Sequence, residues 1–216
     1  MLMLTRAEAG RRLAMGLGAL VRDIPAVVAV SPGGARVGSE IARAFEAPLD
    51  IIAGSRLEVP GRSHSVFGAV ADGSVIVLPD RVRALGLPDD YVAGLVEIAR
   101  REVDRTARAL RGGAPELELQ ERTVVLVDDG LSDSVLVAAG ARSLQEHGAR
   151  RIIYVAPMAT PELLSALEPF CDEHLLLYPV EVPVGTVICD PQFEQTTRLE
   201  VGAMIRRSRS GLAAVV

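Results

Sequence analysis

Short runs of consecutive apolar residues, each followed by a stretch with helical periodicity, constrain the fold of this chain more than any other feature. Strands are predicted for five such runs, at residues 26–30, 49–53, 123–127, 151–156 and 175–178. A strand that is apolar on both faces has to be covered on both, as in parallel sheets that carry helices on each side. The sequence therefore predicts an α/β fold, with a mostly parallel, twisted sheet flanked by helices.

The length and the apolar content suit one domain. Of 216 residues 49% are hydrophobic, which is enough for one well-formed core, and we expect residues 1–216 to form a single domain. An N-terminal helix is expected within residues 1–24. Thr5 and Glu8 form a capping box there, which is typical of a helix start.

Three further segments are predicted from local patterns. Asp72 and Gly73 lie between two β-rich runs, which indicates a β-hairpin within residues 60–80. Apolar residues at helical spacing predict a long helix over residues 89–110. Near the end the chain becomes rich in arginine, and we expect residues 204–216 to be a flexible, solvated tail.

The composition excludes several kinds of site. All 23 basic residues are arginine, so there is no lysine for a P-loop or a Schiff base. A net charge of −5 gives no reason to expect nucleic acid as a partner. Two cysteines and three scattered histidines do not suit a disulfide framework or a metal site. No apolar stretch approaches the ~18 residues of a membrane span, so we expect a cytoplasmic protein without a membrane partner.

Three segments are expected to meet at one edge of the sheet, because ligands of open parallel sheets bind beyond the carboxyl ends of the strands. They are residues 31–38, 55–64 and 128–136. In the third segment, Asp128 and Asp129 directly follow a strongly apolar strand. Paired carboxylates in this position bind ribose hydroxyls or hold Mg²⁺ on a sugar-phosphate ligand. Alternatively, they only cap the following helix and complement its dipole.

The run that ends in Asp128-Asp129-Gly130 resembles the type I phosphoribosyltransferases, in their bacterial branch. The other segments that carry the resemblance occur in the order expected of that branch: Gly33-Gly34, Pro48-Leu49-Asp50, Gly61, Gly68-Ala69-Val70-Ala71, and Ala149-Arg150-Arg151 before the apolar run 152–157. The resemblance covers residues 26–177. It implies a Rossmann-like core with a β-hairpin extension, and a homodimer.

The resemblance also implies an activity. Ribose 5-phosphate would pass from phosphoribosyl pyrophosphate (PRPP), with Mg²⁺, to a nitrogenous acceptor, and pyrophosphate would be released. The residues implied to bind the ribose phosphate are Asp128, Asp129, Gly130, Ser132 and Ser134, and the two carboxylates would also meet the Mg²⁺ through the ligand. The residues implied on the pyrophosphate side are Gly33, Gly34, Arg36 and Arg56. Catalysis of this kind depends on positioning, and no residue is singled out as catalytic.

The anion-binding loops depart from the family pattern. Asp133 stands where a hydroxyl is expected, Ser134 replaces a glycine, and Leu136 replaces a second threonine. On the pyrophosphate side, Pro32 stands where close relatives have an arginine. An ionised Asp133 that faced a phosphate across ~4 Å would cost about 4 kcal/mol at an effective dielectric near 20. If Asp133 instead turned away to cap the helix, the neighbouring serines would remain as donors.

These departures leave two other hypotheses open. The chain could be a non-catalytic protein of the same fold, which binds a nucleotide, a sugar phosphate or a protein partner. It could also be a different Rossmann-like enzyme whose Asp128 and Asp129 hold a metal, although no further ligand lies at a suitable spacing. The hairpin and residues 179–194 would shape the acceptor pocket, and nothing in them specifies a base.

Overall fold

A computed structural model of the chain describes residues 5–23, 25–178 and 196–210. The described helices are α1 (Arg6–Leu17), α2 (Pro32–Ala44), α3 (Pro79–Leu85), α4 (Asp89–Arg111), α5 (Ser134–Glu146), α6 (Pro161–Leu167) and α7 (Arg198–Ser210). The described strands are β1 (Ala26–Ala29), β2 (Leu49–Ile51), β3 (Gly54–Glu58), β4 (Val66–Ala71), β5 (Ser74–Val77), β6 (Thr123–Val127), β7 (Arg151–Ala156) and β8 (Glu173–Leu176).

The larger sheet has the strand order β2-β1-β6-β7-β8, and every neighbouring pair is parallel. Side chains of α1, α2, α4 and α7 share one apolar core, whereas those of α5 and α6 share the core on the other face. The predicted α/β class is therefore confirmed. Because all five strands run the same way, their carboxyl ends meet at one edge, with β6 in the middle.

The smaller sheet is antiparallel, in the order β3-β4-β5. Asp72 and Gly73 form the two-residue turn between β4 and β5, with φ of 41° and 89°, as a primed hairpin turn requires. The predicted hairpin is confirmed, but residues 55–58 were expected among the loops at the strand ends and instead belong to β3. Only Leu57 of this strand is buried, so no apolar run marks it, and pairing with β4 is what makes it a strand.

The ends of the described chain differ in how well they were predicted. α1 follows Thr5, whose Oγ1 accepts a hydrogen bond from the Glu8 amide at 3.1 Å, as the capping box predicts.

The flexible tail predicted for 204–216 is wrong for residues 204–210, which are helical. Val201 and Ile205 of that helix are fully buried, and α7 packs on α2 and α4. These two buried positions are four residues apart in an arginine-rich segment, so the sequence did not indicate a helix there.

Two regions that the sequence analysis discussed lie outside the described residues. They are residues 211–216 of the predicted tail and residues 179–194 beside the expected acceptor pocket. Within the described parts of the chain, no helix combines the length and the apolar character needed to cross a membrane.

A cluster of buried charges connects β2 to three other parts of the fold. Asp50, on β2, is 3% exposed, and its Oδ1 accepts a hydrogen bond from Arg111 Nε at 3.1 Å. Its Oδ2 accepts one from the Leu117 amide at 3.0 Å and lies 3.0 Å from Arg209 Nη2 of α7. Arg111 Nη2 also donates to Asp72, in the hairpin turn, at 2.9 Å. Asp50 and Arg111 can be buried because each lies next to more than one opposite charge.

We expect Asp50→Ala to lower the free energy of unfolding by about 3–5 kcal/mol, because it leaves the buried Arg111 guanidinium without its main counter-charge. Urea denaturation measures this directly. Asp80→Ala is the matched control, since it breaks an exposed ion pair with Arg83 and should change the stability by less than about 1 kcal/mol. Equal effects of the two substitutions would contradict the role given to Asp50.

Candidate functional site

Two carboxylates lie where β6 leaves the centre of the parallel sheet. Asp128 is fully buried and Asp129 is 4% exposed. The Asp128 amide donates to the Val155 carbonyl of β7 at 3.0 Å, so the β6–β7 pairing continues into the motif. The strand therefore fixes the backbone that carries both carboxylates. They lie at the edge of the sheet where the carboxyl ends of the strands meet, which we call the ligand edge because ligands of open parallel sheets bind there.

Asp128 holds the following loop in place. Its Oδ1 accepts a hydrogen bond from Ser132 Oγ at 2.5 Å, and its Oδ2 accepts bonds from the Gly130 amide at 3.0 Å and Tyr154 Oη at 3.5 Å. Burial, and then the charge of Asp129, raise the pKa of Asp128 to about 6. Ser132 was expected to bind a phosphate, but its hydroxyl donates a hydrogen bond to Asp128.

Asp129 forms an ion pair with the first residue of α1. Arg6 donates to Asp129 Oδ2 from Nε at 2.9 Å and from Nη2 at 2.8 Å, and the Leu131 amide lies 3.4 Å from Oδ1. The sequence analysis missed Arg6, because 123 residues separate it from its partner and no local pattern joins them. The capping box indicates where α1 begins, but not which residue its first side chain meets.

The two glycines at the start of α2 allow that helix to approach the ion pair. A Cβ at Gly33 would lie 1.9 Å from Asp129 Oδ2 and 2.7 Å from Arg6 Nε. A Cβ at Gly34 would lie 2.7 Å from the Val127 carbonyl oxygen. The first turn of α2 therefore lies directly against the chain's own carboxylate and guanidinium.

The loop that was expected to bind a phosphate adopts the second of the two geometries that the sequence left open for Asp133. Asp133 caps α5, because its Oδ1 accepts a hydrogen bond from the Val135 amide at 3.1 Å. Ser134 is the first residue of that helix. The carboxylate of Asp133 consequently lies at the helix N-terminus, which is also the place where an anionic ligand is favoured.

Two arginines expected on the pyrophosphate side lie near acidic residues. Arg36, on α2, is 4.0 Å from Glu200 of α7, and Arg56, on β3, is 3.9 Å from Glu58 of the same strand. All four side chains are about half exposed. The guanidinium that contacts the motif is that of Arg6, which comes from a different part of the chain.

The carboxylate pair does not fit Mg²⁺ as a directly bound ion. Both oxygens of Asp128 accept hydrogen bonds within the protein, and Asp129 Oδ2 accepts two from a cation. Among residues 5–23, 25–178 and 196–210, no group of three histidine, cysteine or acidic side chains could hold a metal ion. The described side chains therefore do not form a set of protein ligands for the Mg²⁺ that the resemblance implies.

Titration of Asp128 should be visible in the stability of the protein. Its pKa of about 6 lies above the ordinary value of 3.8, so the protonated form is favoured in the folded chain. This stabilisation is complete below about pH 4 and is lost as the pH rises through 6. We expect the free energy of unfolding of the wild type to fall by about 3 kcal/mol more than that of Asp128→Asn between pH 4 and 7. Parallel pH profiles in urea denaturation would contradict this assignment.

The packing of α2 against the ion pair gives a second prediction. Gly33→Ala should destabilise the protein by about 1–3 kcal/mol, because its methyl group displaces Asp129 or Arg6. Gly94→Ala in α4 is the control. No described atom lies within 4 Å of a Cβ there, so alanine should be neutral or stabilise by up to about 1 kcal/mol. Thermal unfolding of both variants tests the prediction, which fails if Gly33→Ala is also neutral.

No family model matches the chain, but sequence comparison finds long matches to curated proteins. Two proteins of Mycobacterium tuberculosis, from strains CDC 1551 and H37Rv, are each 29% identical to it over 209 residues. Their curated names give both provisionally as phosphoribosyl transferases. The match covers 96% of this chain and 47% of each relative, so the chain spans about half the length of the curated relatives it matches.

Structure comparison finds the same fold in a crystal structure of the protein TT1426 from Thermus thermophilus. The TM-score is 0.77 with 28% identity, over 96% of this chain and 99% of that protein. A purine phosphoribosyltransferase from Pyrococcus horikoshii aligns more loosely, with a TM-score of 0.45 and 14% identity over 81% of this chain and 85% of its own. In sequence this chain is similar to proteins provisionally named phosphoribosyl transferases, and it shares the fold of the Thermus protein.

Proposed function

We propose that this chain is a phosphoribosyltransferase, which transfers ribose 5-phosphate from PRPP to a nitrogenous acceptor and releases pyrophosphate. One observation carries the proposal. Asp128-Asp129-Gly130 leaves the central strand directly against the Gly33-Gly34 turn of α2, where a side chain has no space. This brings the proposed ribose-binding residues together with the loop proposed for the pyrophosphate.

The two carboxylates have different parts in this proposal. Asp129 is the one that meets a ribose hydroxyl. Among the described residues, the hydrogen bond to its Oδ1 comes from the Leu131 amide, at 3.4 Å, so this oxygen retains acceptor capacity. Asp128 is a positioning residue, since its hydrogen bonds to Ser132 and Gly130 set the shape of the loop. The N-terminus of α5, which begins at Ser134, faces the same edge and favours a phosphate through its dipole.

The proposed reaction requires the two substrates to be positioned and does not require a nucleophilic side chain of the protein. The bond from ribose C1 to the pyrophosphate oxygen breaks, and its electron pair leaves with the pyrophosphate. The acceptor nitrogen forms the new bond to C1 and gives up its proton to solvent. Positive charge develops on the sugar as the old bond lengthens, as in other glycosyl transfers. Rigid loops at the strand ends supply the orientation that such a step needs.

A second candidate function is favoured by Asp133. Its carboxylate already lies at the N-terminus of α5, where it competes with a phosphate for the Val135 amide. On this alternative the chain is a non-catalytic member of the fold, which binds a nucleotide, a sugar phosphate or a protein partner. The homodimer expected from the resemblance stays a prediction under either function.

Calorimetric titration with PRPP separates the two candidates. We expect the wild type to bind PRPP with a micromolar Kd, and the double variant Asp133→Thr, Ser134→Gly to bind it about tenfold more tightly. Threonine retains the helix cap while the repulsive carboxylate is removed. Glu146→Gln removes the same charge at the far, exposed end of α5 and should leave the Kd unchanged.

Two results would count against the proposal. If the wild type does not bind PRPP but the double variant does, the loop has closed the site and the non-catalytic function is favoured. If neither protein binds PRPP, the assignment to PRPP chemistry is wrong. Binding by the wild type would next be followed by an assay of pyrophosphate release with a panel of nitrogenous bases.

A further inference from the structure

We infer that Arg6 takes the place of a divalent cation beside Asp129, so that this edge of the sheet binds its ligand without Mg²⁺. The inference deepens the proposed function, on which it rests for the class of ligand. The arrangement of charges that supports it involves only residues of this chain, and it can be tested without any organic ligand.

The first argument is the coordination of Asp129. Mg²⁺ needs oxygen ligands at about 2.0–2.1 Å in an octahedral arrangement and retains several waters. Asp129 Oδ2 already accepts two hydrogen bonds from Arg6, at 2.9 Å and 2.8 Å, which use the two acceptor positions of that oxygen. A divalent ion on this carboxylate would lie a few ångströms from a fixed guanidinium and be repelled by it.

The second argument is that Asp128 does not offer a replacement ligand. It is fully buried, and Ser132, Gly130 and Tyr154 donate to its two oxygens. A hydrated ion would have to break the 2.5 Å hydrogen bond from Ser132 and open the loop. The adjacent carboxylates therefore differ from a pair that jointly holds a metal.

The third argument is the lack of space next to the ion pair. The first turn of α2 lies so close that a Cβ at Gly33 would be 1.9 Å from Asp129 Oδ2 and 2.7 Å from Arg6 Nε. A gap that does not admit a methyl group does not admit an ion with its water shell. On this side, the glycine and the guanidinium together close the position that a cation would take.

The location of Arg6 in its own helix supports the same conclusion. It is the first residue of α1, where the helix dipole disfavours a positive charge. The contact with Asp129 offsets that cost. Arg6 also brings a positive charge to the ligand edge.

The test uses Mn²⁺ alone as the probe, followed by the electron paramagnetic resonance signal of the free ion. We expect the wild type not to bind Mn²⁺ at concentrations up to about 1 mM, and Arg6→Gln to bind it at least about tenfold more tightly than the wild type. Arg6→Lys loses the two-nitrogen contact but retains a positive charge beside Asp129, so it should bind Mn²⁺ less tightly than Arg6→Gln. Arg11→Gln removes an arginine from the same helix, near Glu40 and away from Asp129, and should have no effect.

Circular dichroism checks that the variants are folded, and the wild type alone is informative if Arg6→Gln is not. Submillimolar Mn²⁺ binding by the wild type that Asp129→Asn abolishes would overturn the inference. So would a folded Arg6→Gln protein that gains no affinity for Mn²⁺. Either result would mean that Arg6 is not what occupies the cation position.

A second arm uses ribose 5-phosphate as the ligand, titrated into the wild type with excess Mg²⁺ and with excess EDTA. Equal Kd values in the two buffers support the inference, whereas binding more than about tenfold tighter in Mg²⁺ overturns it. Failure of ribose 5-phosphate to bind in either buffer counts against the proposed function. In that case the Mn²⁺ measurement still decides whether Arg6 replaces the cation.

Discussion

The ion pair between Arg6 and Asp129 is the interaction around which the ligand edge of this protein is organised. It connects the first described helix to the end of the central strand, across 123 residues of sequence. α2 then packs against both partners through a glycine. Removing either charge would leave the other nearly buried without this ion pair, which costs far more than an exposed ion pair contributes. Three elements therefore depend on one carboxylate for their relative placement.

Arginine suits this arrangement, and lysine would not. Arg6 presents two nitrogens to one oxygen, and Arg111 reaches Asp50 and Asp72 with different nitrogens of one planar group. A lysine ammonium is a compact, strongly hydrated charge and is poorly matched to such buried, branched contacts. Both buried clusters use the geometric property of the one basic residue type that the chain contains, which gives the absence of lysine a structural meaning.

How much could be predicted from sequence depended on whether the signal was local. Consecutive apolar residues predicted the parallel strands, and Asp72-Gly73 predicted the hairpin, because burial and turn conformation are decided within a few residues. β3 and α7 were missed because each has few apolar residues and is held by pairing or packing with distant parts of the chain. In the site, the positions of Asp128 and Asp129 at the strand end were predicted, whereas Arg6 was not.

The same limit applied to side-chain direction. Sequence left two geometries for Asp133, and its hydrogen bond to the Val135 amide is what distinguishes them. The resemblance implied a place for Arg36 on the pyrophosphate side, but periodicity could not tell that its side chain lies 4.0 Å from Glu200 on α7. Contacts between residues far apart in sequence decide such questions, and a single sequence carries little information about them.

The docking of α7 has a consequence for the order in which the molecule forms. Ser208 Oγ accepts a hydrogen bond from the Leu49 amide, and Arg209 approaches Asp50, so the outer strand β2 is completed by residues about 160 positions later. Contacts between residues so far apart in sequence cost loop-closure entropy and slow folding. Until α7 arrives, β2 exposes a carboxylate that has only part of its counter-charge. The outer strand should consequently be among the last parts of the sheet to acquire protection from hydrogen exchange, although it is the second of the five strands in chain order.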